Sequence, residues 1–249
     1  MIEFSFADAA IFKNSVDALV TLIDEGVFEL DSTGMKFRAM DPSLIAMVDF
    51  FMPKSAFSSF NVEGEEKFGI NLLDLSKVLG RIRTGESLTV KLDKEKSRLY
   101  LIFKGKSTRR ISLPLLDIEK NVPKVPNIAF DSRIKLLGDV LKEGLKDAAL
   151  VSANVTLRAN QEAFIIEAKG DRGEVNIELK KGEEALAEHQ VSGESKAIFP
   201  LEYLNDLLKP APSDELIELN LKTDSPLKLH FNVGDASVDY YLAPRTESE

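Results

Sequence analysis

The sequence predicts an α+β fold made of two similar domains, each built from antiparallel sheets with two helices. Three observations carry this. Alternation of apolar and polar residues, the mark of half-buried strands, dominates the chain. Only four segments have helical spacing. The order strand, helix, strands, helix, strands occurs twice.

The first strand is Ile2-Glu3-Phe4-Ser5-Phe6. Residues 87–92 and 98–104 alternate on either side of a polar turn and read as a hairpin. Residues 163–168 and 174–180 form a second hairpin through Gly170-Asp171-Arg172-Gly173, and residues 216–222 and 227–233 a third. The helical segments are Ala9–Ile23, with Phe12, Val16, Leu19 and Ile23 on one face, and Leu72–Ile82, with Leu72, Leu75 and Leu79. The third is Leu136–Ala148, with Leu137, Val140, Leu141 and Leu145. The fourth is Leu201–Leu208, stopped by Pro210 and Pro212.

Two alignments express the repeat. Residues 29–39 set against 149–159 match at Leu30/Leu150, Ser32/Ser152, Arg38/Arg158 and Ala39/Ala159. Leu72, Leu75 and Leu79 match Leu201, Leu204 and Leu208 without a gap. The halves are expected at 1–116 and 128–249. Between them, residues 117–127, with Pro123 and Pro126, read as an extended surface connector.

Composition narrows the function. The 249 residues contain no cysteine, which excludes a disulfide framework, a thiolate metal site and a cysteine nucleophile. The start is an alternating strand rather than a signal segment, and no run reaches the roughly 18 apolar residues of a membrane span. The formal net charge is −9, opposite in sign to that of a generic nucleic-acid binder. Charge placement matters more than its sum, however. His189 follows an acidic stretch and reads as a solvated loop residue, and His230 as an outward strand residue. Gly105-Lys106-Ser107 imitates the end of a phosphate loop, but Tyr100 stands where its first glycine is required. No catalytic, metal or cofactor motif emerges.

Several segments resemble the proliferating cell nuclear antigen family and its archaeal sliding clamps. They are Ser32-Thr33-Gly34 with Arg38-Ala39-Met40-Asp41-Pro42-Ser43, the run Phe68–Leu79, Tyr203-Leu204-Asn205, Ser225-Pro226-Leu227, and the ending Tyr240-Tyr241-Leu242-Ala243-Pro244-Arg245. The matches run in order along essentially the whole chain, and the compact, cysteine-free sequence looks more archaeal than eukaryotic. The resemblance implies the DNA clamp fold, closed by three copies into a pseudo-sixfold ring around double-stranded DNA without sequence preference. It also implies a non-catalytic processivity factor in the cell interior, with no cofactor. The implied partners are DNA polymerase, a clamp loader, flap endonuclease, DNA ligase and other peptide-motif proteins. Two rival functions are a clamp-like scaffold in damage signalling and a β-rich hydrolase with an unrecognised carboxylate pair.

A ring needs cations facing phosphate. The candidates are Lys13 on the first helix, Lys77, Arg81 and Arg83 on or just after the second, Lys135, Lys142 and Lys146 with the third, and Lys209 ending the fourth. It also needs sheet edges that pair between copies. The resemblance assigns these to Arg109, Arg110, Ile111 and Leu113 on one strand, and to Glu174, Val175, Ile177, Glu178 and Leu179 on another, with both arginines meeting Glu174 and Glu178. It assigns the partner-peptide pocket to Met40, Leu44, Ile45, Met47, Val125, Pro126, Pro226, Tyr241, Ala243 and Pro244.

Overall fold

The computed structural model describes residues 2–119 and 122–245. Lys120 and Asn121 of the expected connector, and residues 1 and 246–249 at the ends of the expected domains, lie outside the described residues. The chain forms two compact units. The first comprises Met1–Pro42, Val48–Pro123 and Asn232–Val238, and the second Ser43–Met47, Lys124–Phe231 and Asp239–Glu249.

The first half of the chain runs β1 (Ile2–Phe6), α1 (Ala9–Val20), β2 (Glu25–Asp31), β3 (Gly34–Met40), β4 (Ala46–Pro53), β5 (Ser59–Asn61), β6 (Glu66–Asn71), α2 (Leu72–Leu79), β7 (Ser87–Asp93), β8 (Arg98–Lys104) and β9 (Thr108–Pro114). A five-stranded sheet has the order β5-β1-β7-β8-β9, and a second run has the order β4-β3-β2-β6. The second half repeats this with β10 (Ser132–Leu137), α3 (Gly138–Ala149), β11 (Asn154–Ala159), β12 (Ala163–Gly170), β13 (Gly173–Lys180), β14 (Leu186–Val191), β15 (Ser195–Pro200), α4 (Leu201–Leu208), β16 (Leu216–Leu221), β17 (Leu227–Val233) and β18 (Ala236–Leu242). Its strand orders are β14-β10-β16-β17-β18 and β13-β12-β11-β15. Each strand of one half therefore has a counterpart at the same place in the other.

This topology corrects the first of the two alignments. The strand that follows the first helix is β2 in one half and β11 in the other, so residues 25–31 are the counterpart of 154–159. Setting 29–39 on 149–159 slides the halves by one strand. Leu30 is buried in β2 at 1% exposure, whereas Leu150 is 71% exposed just past α3. The second alignment stands: α2 and α4 are both eight residues long and bury the matched leucines.

Local chemistry explains the helix limits. Asp8 caps α1 by accepting from the Ala10 amide at 2.9 Å, and Asn71 caps α2 through the Asp74 amide at 2.9 Å. The third helix starts later than its apolar spacing predicts, because β10 continues through Leu136 and Leu137 as a ladder partner of β16. Gly138 opens the helix where a Cβ would lie 2.2 Å from the Pro212 carbonyl, so only glycine permits this backbone approach. The cores differ in kind. The first unit packs phenylalanines, with Phe6 stacked on Phe12 at 5.2 Å and Phe28 on Phe68 at 5.2 Å. The second relies on aliphatic residues such as Leu141, Leu145, Val155, Ile166 and Leu219, together with Phe164 and Phe199.

Among the described residues between β9 and β10 there is no helix or strand. The first part of this stretch is tied to β6, where the Leu116 amide donates to the Gly69 carbonyl at 2.9 Å. Its last part is held by Lys222, which donates to the Ala129 carbonyl at 3.2 Å.

Candidate functional site

The helix cations fall into two groups. Lys13, Lys77, Lys146 and Lys209 project from helices or a helix C-cap, and each pairs with an acid of its own helix. The pairs are Lys13–Asp17 at 2.5 Å, Lys77–Asp74 at 3.1 Å, Lys146–Glu143 at 2.7 Å and Lys209–Asp206 at 2.5 Å. Such surface pairs contribute only about 0.3–0.5 kcal/mol.

The remaining cations are engaged or placed differently. Lys135 is not on α3 but in β10, between Glu188 (3.0 Å) and Glu218 (3.7 Å). Lys142 is half-buried and donates to the Ala211 carbonyl at 2.5 Å and the Ser213 hydroxyl at 3.1 Å. Burial, and then repulsion from Lys146, lowers its pKa. It fastens α3 to the loop after α4. Arg81 and Arg83 lie past the end of α2, and Arg109 of β9 donates to the Arg81 carbonyl at 3.1 Å, so both belong to the neighbourhood of a sheet edge. The helices as a whole are not basic. Lys13, Lys77, Lys142, Lys146 and Lys209 are outnumbered by Asp17, Asp74, Asp139, Glu143, Asp147, Glu202 and Asp206.

Two strands, β9 and β13, each end a sheet. On β9, Arg109, Ile111 and Leu113 are half-buried, while Arg110, Ser112 and Pro114 are exposed. The Leu115 amide donates to the Ser97 carbonyl at 3.0 Å. Counting back in register, Leu113, Ile111 and Arg109 turn their backbone groups to β8, and Arg110 and Ser112 turn theirs outward. On β13, the bond from the Lys181 amide to the Glu162 carbonyl (2.8 Å) fixes the same alternation. Glu174, Asn176 and Glu178 therefore point their backbone groups away from β12, with Val175, Ile177 and Leu179 turned toward the core. Such groups form a template for a further strand. Arg109 already has a partner in its own chain. It is held by the buried Glu86 carboxylate at 2.5 Å and lies 4.8 Å from the Phe103 ring centroid. Arg110 is the exposed one of the two arginines.

The expected pocket residues assemble in part. The Ala243 amide donates to the Ile45 carbonyl at 2.9 Å, which brings Leu44 and Ile45 to Ala243 and Pro244. Leu44 is 70% exposed, and its φ of 58° is unusual for a side-chain-bearing residue. Tyr241 is mostly buried beside them in sequence, with the Lys228 ammonium 5.9 Å from its ring centroid. Pro226 and Pro126 are half-buried and Val125 exposed. Met47 is 3% exposed in β4 and belongs to the core. Met40 ends β3 in the first unit, whereas the other nine belong to the second.

Comparison with known proteins gives the family. The family model described as proliferating cell nuclear antigen, N-terminal domain, matches residues 1–123, and that described as the C-terminal domain matches residues 124–246. The chain belongs to the proliferating cell nuclear antigen family. Relatives named DNA polymerase sliding clamp include that of Methanococcus vannielii, 38% identical over 241 residues (95% of this chain, 96% of the relative). That of Pyrococcus horikoshii is 32% identical over 246 residues, 98% of each. Among solved structures, the antigen of Thermococcus kodakaraensis superposes with a TM-score of 0.93 at 28% identity, covering 98% of this chain and 100% of that one. The antigen of A. fulgidus, bound to the C-terminal region of FEN-1, gives 0.91 at 29% identity and full coverage of both chains.

Residues that sequence spacing passed over complete this clamp-family chain. Glu86 is one, at 3% exposure. Another group crosses the sheet β14-β10-β16-β17-β18. His230 bonds Asp239 at 2.6 Å, and Asp239 pairs with Lys228 at 3.0 Å. His189 lies in β14 rather than a solvated loop. Glu218 takes Arg133 at 2.8 Å. Burial would raise the Glu218 carboxyl, but hydrogen bonds from Arg133 and Asn220 outweigh it and bring the pKa down to about 2. A lowered carboxylate stabilises the fold above its ordinary range and loses that contribution as pH falls through its folded value. Glu218→Gln should therefore cost about 2 kcal/mol at neutral pH. It should also flatten the loss of stability between pH 4.5 and about 2, as followed by denaturant unfolding across that range.

No group of three or more His, Cys, Asp or Glu residues able to hold a metal occurs among the described residues, and none of their helices is long and apolar enough to cross a membrane.

Proposed function

We propose that the chain is a DNA sliding clamp. Three copies close a ring around double-stranded DNA by pairing β9 of one with β13 of the next. The ring tethers DNA polymerase and other replication and repair enzymes as a processivity factor and catalyses no reaction of its own. The observation that carries this is the presence, in one duplicated chain, of two differently placed sheet edges with free backbone groups. A heterologous contact of this kind closes into a ring when its rotation allows. We assign the domains to 1–116 and 128–249, joined by the connector 117–127, and the site of action to the archaeal cell interior, with DNA.

Partner peptides dock, in this reading, on Leu44, Ile45, Ala243 and Pro244, with Val125 and Tyr241 as further members of the pocket. An apolar anchor in such a groove dominates affinity. DNA polymerase, clamp loader, flap endonuclease and DNA ligase are the expected partners.

The DNA-facing set is reduced to Lys13, Lys77, Lys146 and Lys209. With so many carboxylates among them, these lysines make few and loose phosphate contacts, which suits sliding. Changing Lys77 and Lys146 to glutamate should slow loading and lower the salt slope of DNA association by about 2. Closed rings should still stay on circular DNA. Measuring association against salt for the wild type and the double variant tests the assignment, and an unchanged slope removes it.

A further inference from the structure

We infer that Glu86 is a positioning residue for ring closure: its buried carboxylate holds Arg109 and the turn after α2 so that the outward edge of β9 is presented to a second copy. The inference rests on the β9–β13 pairing proposed above.

Glu86 lies in the connection between α2 and β7 and is 3% exposed. Four parts of the first unit meet at this residue. Its carboxylate accepts from the Arg83 amide at 2.9 Å, which fixes the turn after α2. It accepts from the Arg109 guanidinium at 2.5 Å, which fixes β9. Its backbone carbonyl accepts from the Ala9 amide at 2.9 Å, which fixes the start of α1. Finally, Gly105 of the β8–β9 turn leaves it room, since a Cβ there would come within 2.8 Å of the Glu86 Cγ.

The consequence follows from the alternation along β9. Arg109 is an inward residue, and Arg110, whose backbone groups face outward, is the next in the chain. Arg109 also donates to the Arg81 carbonyl, so one guanidinium ties the strand both to the carboxylate and to the turn. An end strand hydrogen-bonded on one side only is free to twist. Locking Arg109 fixes the direction of the backbone groups at Arg110 and Ser112, so less ordering remains to be done when another strand arrives.

The charged groups on the elements packed around Glu86 are Arg81 and Arg83 of the turn, Arg109 and Arg110 of β9, Lys104 and Lys106 at the β8–β9 turn, and Asp8, whose carboxylate caps α1. The Arg83 amide first, and then Arg109, hold the Glu86 carboxyl below the usual range. The carboxylate thus stays ionised at neutral pH, and its hold on Arg109 weakens only as pH falls through the lowered value.

Sedimentation equilibrium of the full chain tests this with Glu86→Gln, Arg109→Gln and the double variant. Glutamine keeps the shape and an acceptor for the Arg83 amide, so the far-UV circular dichroism should match the wild type. The trimer dissociation constant should rise about ten-fold at neutral pH through the lost charge-assisted bond. The double variant should be no weaker than Arg109→Gln alone. On acidification the wild-type ring should loosen in a step that Glu86→Gln lacks. Wild-type trimer affinity in Glu86→Gln, or independent effects that multiply in the double variant, overturns the inference. Ser112→Pro with Asn176→Pro separates the two levels. If that variant is still trimeric, the edge pairing is wrong and the inference falls with it. If it is monomeric and Glu86→Gln keeps wild-type affinity, the inference alone falls.

Discussion

A chain carrying Ser112→Pro and Asn176→Pro should fold normally and sediment as a monomer. Both residues belong to the outward sets of their strands, so neither amide serves the ladder within its own sheet. Proline removes a donor only where the intact strand offers it to another copy, and its ring obstructs the approach of that copy's backbone. Two lost intermolecular bonds at about 1 kcal/mol each, with the steric cost added, raise the dissociation constant at least about 100-fold. Ile111→Pro is the contrasting control. It removes an inward donor to β8 and should destabilise the first unit itself by about 3 kcal/mol, visible as a lower midpoint of denaturation. A trimer that survives both outward prolines means that these strands do not form the joint.

The second large effect concerns docking. Leu44→Ser with Val125→Ser should weaken binding of a peptide carrying a glutamine and two aromatic residues by about 100-fold or more, since each apolar side chain loses about 1.5–3 kcal/mol when it is no longer buried by the ligand. The chain's own stability should hardly move, because Leu44 is 70% and Val125 36% exposed. The buried Met47 predicts the reverse pattern. Met47→Ala should cost about 2–5 kcal/mol of folding stability and reach peptide binding only indirectly. Fluorescence anisotropy of the peptide beside denaturant unfolding separates the two. Unchanged affinity in the first variant removes the docking assignment.

The duplication was legible in the sequence because it is written in element order and in the leucines of α2 and α4. The strand-by-strand equivalence was not. Alternating strands resemble one another, so a few shared letters at 29–39 and 149–159 matched β3 to β11, although the strand after the helix in the first half is β2. The start of α3 was hidden for a different reason: Leu136 and Leu137 fit a helical stripe, and nothing local reveals that Gly138 lies against the Pro212 carbonyl.

The same division applies to the site. Exposed positions such as Leu44 and Arg110 were visible as candidates. Which cations are free depends on partners far along the chain, which spacing cannot supply. Lys142 is bound to a carbonyl 69 residues away and Arg109 to a carboxylate 23 residues away. Glu86 carried no sequence signal, because a glutamate after a glycine at a strand start is ordinarily solvated.

Charge also explains what kind of hold on DNA to expect. The lysines of the four helices are outnumbered by carboxylates, and the whole chain has a formal charge of −9. A protein that depends on phosphate contacts would lose its DNA steeply with salt. A closed ring need not, because the joint between copies, rather than the contact with DNA, sets the rate of loss. The decisive measurement is retention of loaded protein on closed circular DNA, followed before and after one cut that linearises the same molecule, at low and at high salt. Retention on the circle that varies little with salt, followed by rapid loss from the cut ends, is the predicted result. Equal retention on circular and linear DNA, or loss from the closed circle that follows salt alone, would contradict topological encirclement.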